Sequence, residues 1–251
     1  MKESRRKQIE MLVSRQQSIT MKELCDTLQV SMNTIRADVA SLVKAGVVEK
    51  VYGGIRVKER KEVPLFESRT MHSPDQKADI AKAAAELIEN GDIVYIDAGT
   101  TTMHILDFLD PAKNITVVTP SLPVIRKAHE RPNIELAVLP GMYNRRTNAL
   151  LDGSTTEYLS RYHHTKAFMG VSALSESGSL GVSSYQEYEL KRTAIQTSQK
   201  VILLADSSKL GEASLLSYGQ MKQISLLITD KNLPESFAEF CEAGGTRVQR
   251  V

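Results

Sequence analysis

Three polar stretches of the sequence carry side chains suited to holding a small anionic ligand. In Asp97-Ala98-Gly99-Thr100-Thr101-Thr102, the glycine lets backbone approach a bound molecule and the threonines bring hydroxyls. The N–H groups opening a following helix would favour an anion such as phosphate. The same loop would also serve as an ordinary strand-to-helix turn with a threonine cap, because short glycine motifs are unspecific. Thr119-Pro120-Ser121 offers two more hydroxyls, and Ala205-Asp206-Ser207-Ser208-Lys209-Leu210-Gly211 offers a lysine able to meet phosphate as a point charge. Lys191, following Glu187 and Glu189, could reach the same place, although E-Y-E-L-K-R is equally a solvated helix face. Tyr143, Arg145 and Arg146, after Pro140-Gly141, form a weaker fourth set. His163-His164 has no partner cluster at metal-ligand spacing, so a surface pair is expected, with no metal and no cofactor.

These stretches acquire meaning from the elements between them. Ile93 to Asp97, Ile115 to Thr119, Ile134 to Leu139, Lys166 to Val171, Val201 to Ala205 and Ile224 to Thr229 are short apolar runs of the kind buried in a mostly parallel sheet. Helical patterns alternate with them, at Thr102 to Asp110, Leu122 to Arg131, Ser154 to Tyr162, Tyr185 to Gln199 and Pro234 to Ala243. The expected body is therefore α/β and covered on both faces, with ligands at the carboxyl ends of the strands. Its first helix is marked by Ser73 at the N-cap, Pro74 at N1 and Gln76 at N3.

Upstream of the body the pattern changes. Thr20-Met21-Lys22-Glu23 is a capping box opening a short helix, and a tight Gln29-Val30 turn leads to a second helix capped by Ser31 and closed by Gly46. Ile35, Val39, Leu42 and Val43 give that helix one apolar stripe; Asn33, Ala37, Ala40 and Lys44 fall on the other side. This is helix-turn-helix spacing, which would bring Ser31, Met32, Asn33 and Thr34 nearest the base edges of DNA, with Arg36 toward the phosphates. Two β-prone runs around Gly53-Gly54 add a hairpin, making a winged helix. A preceding helix is expected over Ser4 to Gln17, with Ile9, Leu12 and Val13 inward and Arg5, Arg6 and Arg15 outside, free to touch phosphates.

The overall charge of +2 divides unevenly: Met1 to Glu62 holds 13 Lys+Arg against 8 Asp+Glu, and the remainder 19 against 22, giving +5 and −3. A basic head on a mildly acidic body suits a DNA-binding module joined to one that does not bind DNA. No run approaches the roughly 18 apolar residues of a membrane span, and the charged N-terminus lacks a signal-peptide core, so a cytoplasmic protein is expected. Cys25 and Cys241 are read as reduced and structural. The expected organisation is a winged helix-turn-helix at 1–57, a linker at 58–72 with Leu65 and Phe66 as docking points, and an α/β domain at 73–251.

V-S-M-N-T-I-R-A-D-V followed by G-V-V-E-K-V-Y-G-G-I resembles the DNA-binding head of the DeoR family of bacterial repressors. D-A-G-T-T, the T-x-S strand end, K-A-F-M-G-V-S and L-A-D-S-S-K-L-G resemble that family's effector domain, in the same order. The chain departs from the pattern at Ala37, Tyr52, Ile55 and Thr165. The resemblance implies an effector domain folded like ribose-5-phosphate isomerase. It also implies a phosphorylated sugar as inducer, held by Asp97, Gly99, Thr100, Thr101, Ser121 and Lys209, with Lys191 as a further candidate. DNA contacts are assigned to Ser31, Met32, Asn33, Thr34, Arg36, Lys44 and the wing residues Tyr52, Gly53 and Gly54. The expected function is control of a carbohydrate-utilisation operon by a homo-oligomer, dimer or tetramer, since one recognition helix reads too few base pairs. The rival is an active sugar-phosphate isomerase carrying a DNA-binding head. Isomerases of this kind carry D-G-A-D-E after a central strand, where this chain has Met169-Gly170-Val171-Ser172-Ala173; Glu187 or Glu189 would have to replace the missing carboxylate.

Overall fold

The computed structural model describes residues 5, 6, 8, 9, 12, 13, 16, 18–44, 48–57, 65–212 and 214–251. The chain divides into two compact units, Met1–Val63 and Pro64–Val251.

In the first unit the described residues between 5 and 16 are helical, with Ile9 and Val13 buried. Then come β1 (Ser18–Thr20), α1 (Met21–Leu28), α2 (Met32–Lys44), β2 (Val48–Val51) and β3 (Gly54–Val57). The capping box at Thr20 and Glu23 forms as expected: Thr20 Oγ1 accepts from the Glu23 N–H at 3.1 Å, and Glu23 accepts from the Thr20 N–H at 2.8 Å. Gln29 takes the left-handed conformation (φ 53°) that ends α1, and Ser31 Oγ accepts from the Thr34 N–H at 3.3 Å to open α2. Each such cap is worth about 1 kcal/mol. Ile35, Val39 and Leu42 of α2 pack with Leu24, Val48 and Ile55 in one core. β1, too short to show a period, was not expected. It pairs antiparallel with β3 so closely that a Cβ on Gly54 would lie 2.3 Å from the Ile19 carbonyl oxygen. Gly46 lies outside the described residues, as does Arg15.

The second unit opens with α3 (Phe66–Thr70) and α4 (Pro74–Glu86), followed by β4 (Ile93–Ile96), a 3₁₀ turn (Thr102–Asp107), β5 (Ile115–Thr119) and α5 (Leu122–His129). Next are β6 (Ile134–Val138), the hairpin β7 (Tyr143–Asn144) and β8 (Ala149–Leu150), α6 (Gly153–Leu159), β9 (His164–Gly170), β10 (Ala173–Leu174) and β11 (Ser179–Val182). The chain ends with α7 (Tyr185–Gln196), β12 (Ser198–Leu204), β13 (Leu216–Gln220), β14 (Leu226–Thr229), α8 (Glu235–Ala243) and β15 (Arg247–Arg250). Seven strands form an all-parallel sheet in the order β15-β14-β12-β9-β4-β5-β6.

Side chains alternate across this sheet, so both faces of each central strand are apolar. Val94, Ile96, Phe168, Ile202 and Leu204 meet α4 and α5 on one face. Tyr95, Ala167, Met169, Val201 and Leu203 meet α6, α7 and α8 on the other, with the small sheet β10-β11-β13.

Several expectations are corrected. Residues 65–72 of the expected linker belong to the second unit, because Phe66 is buried in its core; residues 58–64 lie outside those described. Ser73 sits in the left-handed region (φ 49°), its hydroxyl caps nothing, and Pro74 alone sets the start of α4. The helix expected over Thr102 to Asp110 is a six-residue 3₁₀ turn. Among the described residues no helix is long and apolar enough to cross a membrane.

Candidate functional site

From β4 the chain winds to β5 on one side, while β9 lies on the other, so the carboxyl ends of β4 and β9 open the crevice in which such sheets hold ligands. Asp97, the first residue past β4, spans it. Its Oδ2 accepts from the Gly170 N–H at 2.9 Å and from Lys191 Nζ, which descends from α7. Lys191 also donates to the Gly170 carbonyl at 2.9 Å, and the Tyr218 hydroxyl donates to the same oxygen at 2.9 Å. Asp97 is 3% exposed and Lys191 5%. A pair so deeply buried costs much of its attraction in desolvation, so stability alone does not account for it.

Around this pair lie polar groups whose bonding is incomplete. Tyr95 OH, Ser121 Oγ and Arg69 Nε are buried and have no partner among the described residues. Burial pushes the Tyr95 phenol well above its usual range, and the charges of Asp97 and Glu187 push it further. Glu187 stands one turn before Lys191 on α7 and accepts from Ser184 Oγ at 2.9 Å. Burial raises its carboxyl, an effect that Lys191 opposes and Asp97 reinforces. Arg69 on α3 is felt by both Glu187 and Asp97, while burial lowers its own affinity for the proton. Buried polar groups are nearly always bonded in native proteins, so three orphans around one crevice call for a ligand or ordered water.

The loop after β4 supplies the rest. A Cβ on Gly99 would meet Thr102 Oγ1 at 2.9 Å, so glycine is needed here for packing. Thr102 is structural: its hydroxyl donates to the Asp97 carbonyl at 2.6 Å and accepts from the Gly99 N–H at 2.9 Å. Thr100 and Thr101 are buried, and their hydroxyls and N–H groups bond to nothing among the described residues. The expected helix dipole is absent, because a six-residue 3₁₀ turn follows; the open N–H groups remain. At the end of β5, Thr119 Oγ1 donates to the Ile96 carbonyl at 2.6 Å, tying this strand end to that of β4 and placing Ser121 two residues beyond.

Lys209 is half-buried on a 3₁₀ turn after β12, and its charge acts on Lys77 of α4. Arg69, Lys77, Tyr95 and Tyr218 were not singled out from the sequence. Lys77 stands four residues after Ser73 in a polar stretch, and Arg69 lies in a charged run, so neither carried a signal of burial. Tyr143 bonds Asn148 Oδ1 at 3.1 Å across the β7–β8 hairpin, and the Arg146 carbonyl accepts from Arg69 Nη2 at 3.3 Å. His164 is corrected: as the first residue of β9 it turns inward and is fully buried against Tyr95 and Tyr162, whereas His163 is exposed.

In the first unit, Ser31, Met32, Asn33, Arg36, Ala37 and Ala40 are exposed along one side of α2, and Tyr52 and Gly53 are exposed at the hairpin tip. Thr34 is half-buried and its hydroxyl meets that of Ser31 at 2.9 Å. Gly54 is corrected: it is buried against β1 and serves packing. Arg5 and Arg6 are also corrected. Arg5 Nε pairs with the fully buried Asp38 at 2.6 Å and Arg6 Nε at 3.3 Å, and Arg6 Nη2 donates to Ser41 Oγ at 2.8 Å. An unpaired buried carboxylate would be costly, so Asp38 holds both arginines to α2. The side chain of Lys44 lies outside the described residues.

A helix-turn-helix with a three-stranded wing, followed in the same chain by an α/β unit with a polar crevice at its switch point, defines a ligand-sensing DNA-binding transcription regulator. Comparison with known proteins agrees: a DeoR-like helix-turn-helix domain matches residues 5–61, and the DeoR C-terminal sensor domain matches residues 72–231. The chain belongs to the DeoR family of transcriptional regulators. It is 38% identical to the HTH-type transcriptional regulator IolR of Bacillus subtilis, over 89% of both chains. It is 32% identical to the HTH-type transcriptional repressor GlcR of the same organism, over 92% of this chain and 89% of that one. Among solved structures, ribose 5 phosphate isomerase A from Neisseria gonorrhoeae aligns with 56% of this chain and 54% of its own, at 17% identity and a TM-score of 0.39.

Proposed function

We propose that this regulator is a cytoplasmic repressor of a carbohydrate-utilisation operon, and that a phosphorylated sugar held at the switch point of the sheet changes its affinity for operator DNA. The observation that carries the reading is the set of unpartnered buried polar atoms, Tyr95 OH, Ser121 Oγ and Arg69 Nε, around the buried Asp97–Lys191 pair. Sugar hydroxyls are matched by Asp97, Glu187, Lys191 and Tyr95, which offer both acceptors and donors. The phosphate is matched by the open N–H and hydroxyl groups of Thr100 and Thr101 beside Gly99, by Ser121 and by Lys209. Similarity to a protein named a transcriptional repressor supports the sign of control.

On the DNA side, Ser31, Met32, Asn33 and Thr34 at the start of α2 read base edges, while Arg36, Lys44, Tyr52 and Gly53 contact the backbone. The protein works as a homo-oligomer, so that two recognition helices read repeated half-sites. The ligand acts only as far as it binds one arrangement of the protein better than another.

A second reading, isomerisation of the bound sugar phosphate, has one observation in its favour: Glu187, whose carboxyl is raised by burial in the crevice as a general base requires. Binding remains the stronger reading, because Met169-Gly170-Val171-Ser172-Ala173, at the end of β9 and just beyond it, brings no carboxylate.

Anisotropy titration of labelled promoter DNA with the full chain, with and without a panel of sugar phosphates, tests the proposal. One sugar phosphate should weaken DNA binding by about 5 to 150-fold, and DNA should weaken its binding by the same factor. Unchanged DNA affinity in the presence of every sugar phosphate that binds would reject regulation, and turnover of the bound compound would transfer the case to the enzyme.

A further inference from the structure

Lys77 is 2% exposed, yet its ammonium donates only to the Arg69 carbonyl and meets no described carboxylate in an ion pair. The charged groups acting on it are Lys209, Asp206 and Arg69, two of them cations. Asp206 is already engaged, accepting from the N–H and hydroxyl of Ser208. Arg69 has no described carboxylate partner either: Nη2 donates to the Arg146 carbonyl, the guanidinium lies over the Phe66 ring at 5.7 Å, and Nε is buried without a partner. Lys209, half-buried, also has no described ion pair. Buried cations are ordinarily paired, because an uncompensated charge in the interior costs several kcal/mol. Lys77 and Lys209 share one engaged carboxylate, and Arg69, although it feels Glu187 and Asp97, makes no described ion pair with either, so the three cations form a site short of a counter-anion.

We propose that Arg69, Lys77 and Lys209 form the seat of the ligand's phosphate, and that its occupancy ties α3 and α4 together. This rests on the reading of the crevice as a sugar-phosphate site and extends it. It adds Arg69 and Lys77 to Thr100, Thr101, Ser121 and Lys209 at the phosphate end of the ligand and leaves Asp97, Glu187 and Lys191 at the hydroxyl end. It also makes the segment that follows residues 58–64 in the chain part of the ligand site. A phosphate there bridges the Arg69 side chain on α3 to Lys77 on α4, adding to the hold that Phe66 already gives residues 65–72 on the core. Burial and the two neighbouring cations bring the Lys77 ammonium down to about 8, as an empty cationic site requires.

The test uses the full chain, inorganic phosphate and sugar phosphates as probes, and the variants Lys77→Met and Arg69→Gln. Phosphate at millimolar concentration should raise the melting temperature of the parent protein and leave that of Lys77→Met unmoved. Without phosphate, Lys77→Met should melt at or above the parent, because it removes an unpaired buried charge; a merely structural lysine would make it melt lower. Calorimetry at pH 8.5 in two buffers of different ionisation heat should show proton uptake when phosphate binds the parent, since the phosphate restores the charge on Lys77, and none in Lys77→Met. Arg69→Gln should weaken phosphate at least tenfold. Equal phosphate stabilisation of parent and Lys77→Met would overturn the seat while leaving the sugar-phosphate reading intact. A parent protein stabilised by no phosphorylated compound would overturn both.

Discussion

Replacing His164 with phenylalanine should make the sensor unit less sensitive to acid. The ring is fully buried, its centroid 5.7 Å from that of Tyr95 and stacked on Tyr162 at 6.2 Å. Nδ1 lies 3.3 Å from the hydroxyls of both Thr197 and Ser198, and Nε2 has no partner among the described residues. Burial, partly opposed by the Thr197 backbone bond and aided by His163, brings the imidazole from 6.5 down to about 4. The folded protein therefore keeps the ring neutral while the unfolded chain takes up a proton below pH 6.5. Stability tied to this residue is present above pH 6.5 and is lost as pH falls toward 4. With those two values the loss between pH 8 and pH 5 is about 2 kcal/mol, at roughly 1.4 kcal/mol per unit. Phenylalanine keeps the ring stack, and Thr197 and Ser198 keep their bonds to the Thr193 and Ala194 carbonyls at 2.9 and 2.6 Å. The variant should thus unfold near the parent's urea midpoint at pH 8 and lose about 2 kcal/mol less on going to pH 5. Tyrosine fluorescence reports the transition, since the chain has 8 tyrosines and no tryptophan. Groups common to both proteins, such as Asp92 and Asp230, cancel in the difference. Equal acid losses in parent and variant would refute the argument.

Three further outcomes are expected. Arg36→Ala should reduce the slope of log affinity against log salt by about 0.9 if the residue neutralises one phosphate, and a binding curve unchanged at low salt would remove it from the interface. Gly54→Ala should destabilise the DNA-binding unit by about 1 to 3 kcal/mol, because the new methyl would sit 2.3 Å from the Ile19 carbonyl oxygen and force β1 away from β3; urea unfolding of that unit, with the sensor transition unchanged, checks it. Asp97→Ala should cost the sensor unit about 3 to 5 kcal/mol by leaving Lys191 buried without its carboxylate, whereas Asp97→Leu combined with Lys191→Met should recover much of that loss but not ligand binding. Additive losses in the double variant would show that the two residues do not act as a pair.

What the sequence revealed follows from how each element is stabilised. The stripe Ile35, Val39, Leu42 in α2 and the apolar runs of β4, β5, β9 and β12 are each held by burial of their own side chains, so their periods are visible. β1 and β15 are held by pairing with a neighbour: Ser18-Ile19-Thr20 needs β3, and Arg247-Val248-Gln249-Arg250 is an edge strand on β14. Neither has an apolar run, and pairing leaves no period in three or four residues. The 3₁₀ turn at Thr102–Asp107 read as an α-helix because Met103, Ile105 and Leu106 are buried, as helical spacing would have them.

The buried charges were only partly legible for a related reason, and they bear most directly on function: Asp97 and Lys191 were singled out as ligand candidates but not as a pair, and Asp38 and Lys77 were not singled out. Asp38, Lys77 and Lys191 each sit in stretches that pass for solvated helix faces, and Asp97 reads as a strand end, because the residue that makes each burial tolerable is 21 to 94 positions away or absent. Asp38 finds Arg5 and Arg6, and Asp97 finds Lys191, so at both places opposite charges meet within the protein. Lys77 finds only a carbonyl. A fold that buries a lysine beside two more cations pays a desolvation cost that no contact within the described chain returns, and selection for stability alone would replace it with methionine. That asymmetry sets the proposed phosphate end apart from the rest: charge balance is met within the protein at Asp38 and Asp97, and is met at Lys77 only when an anion arrives.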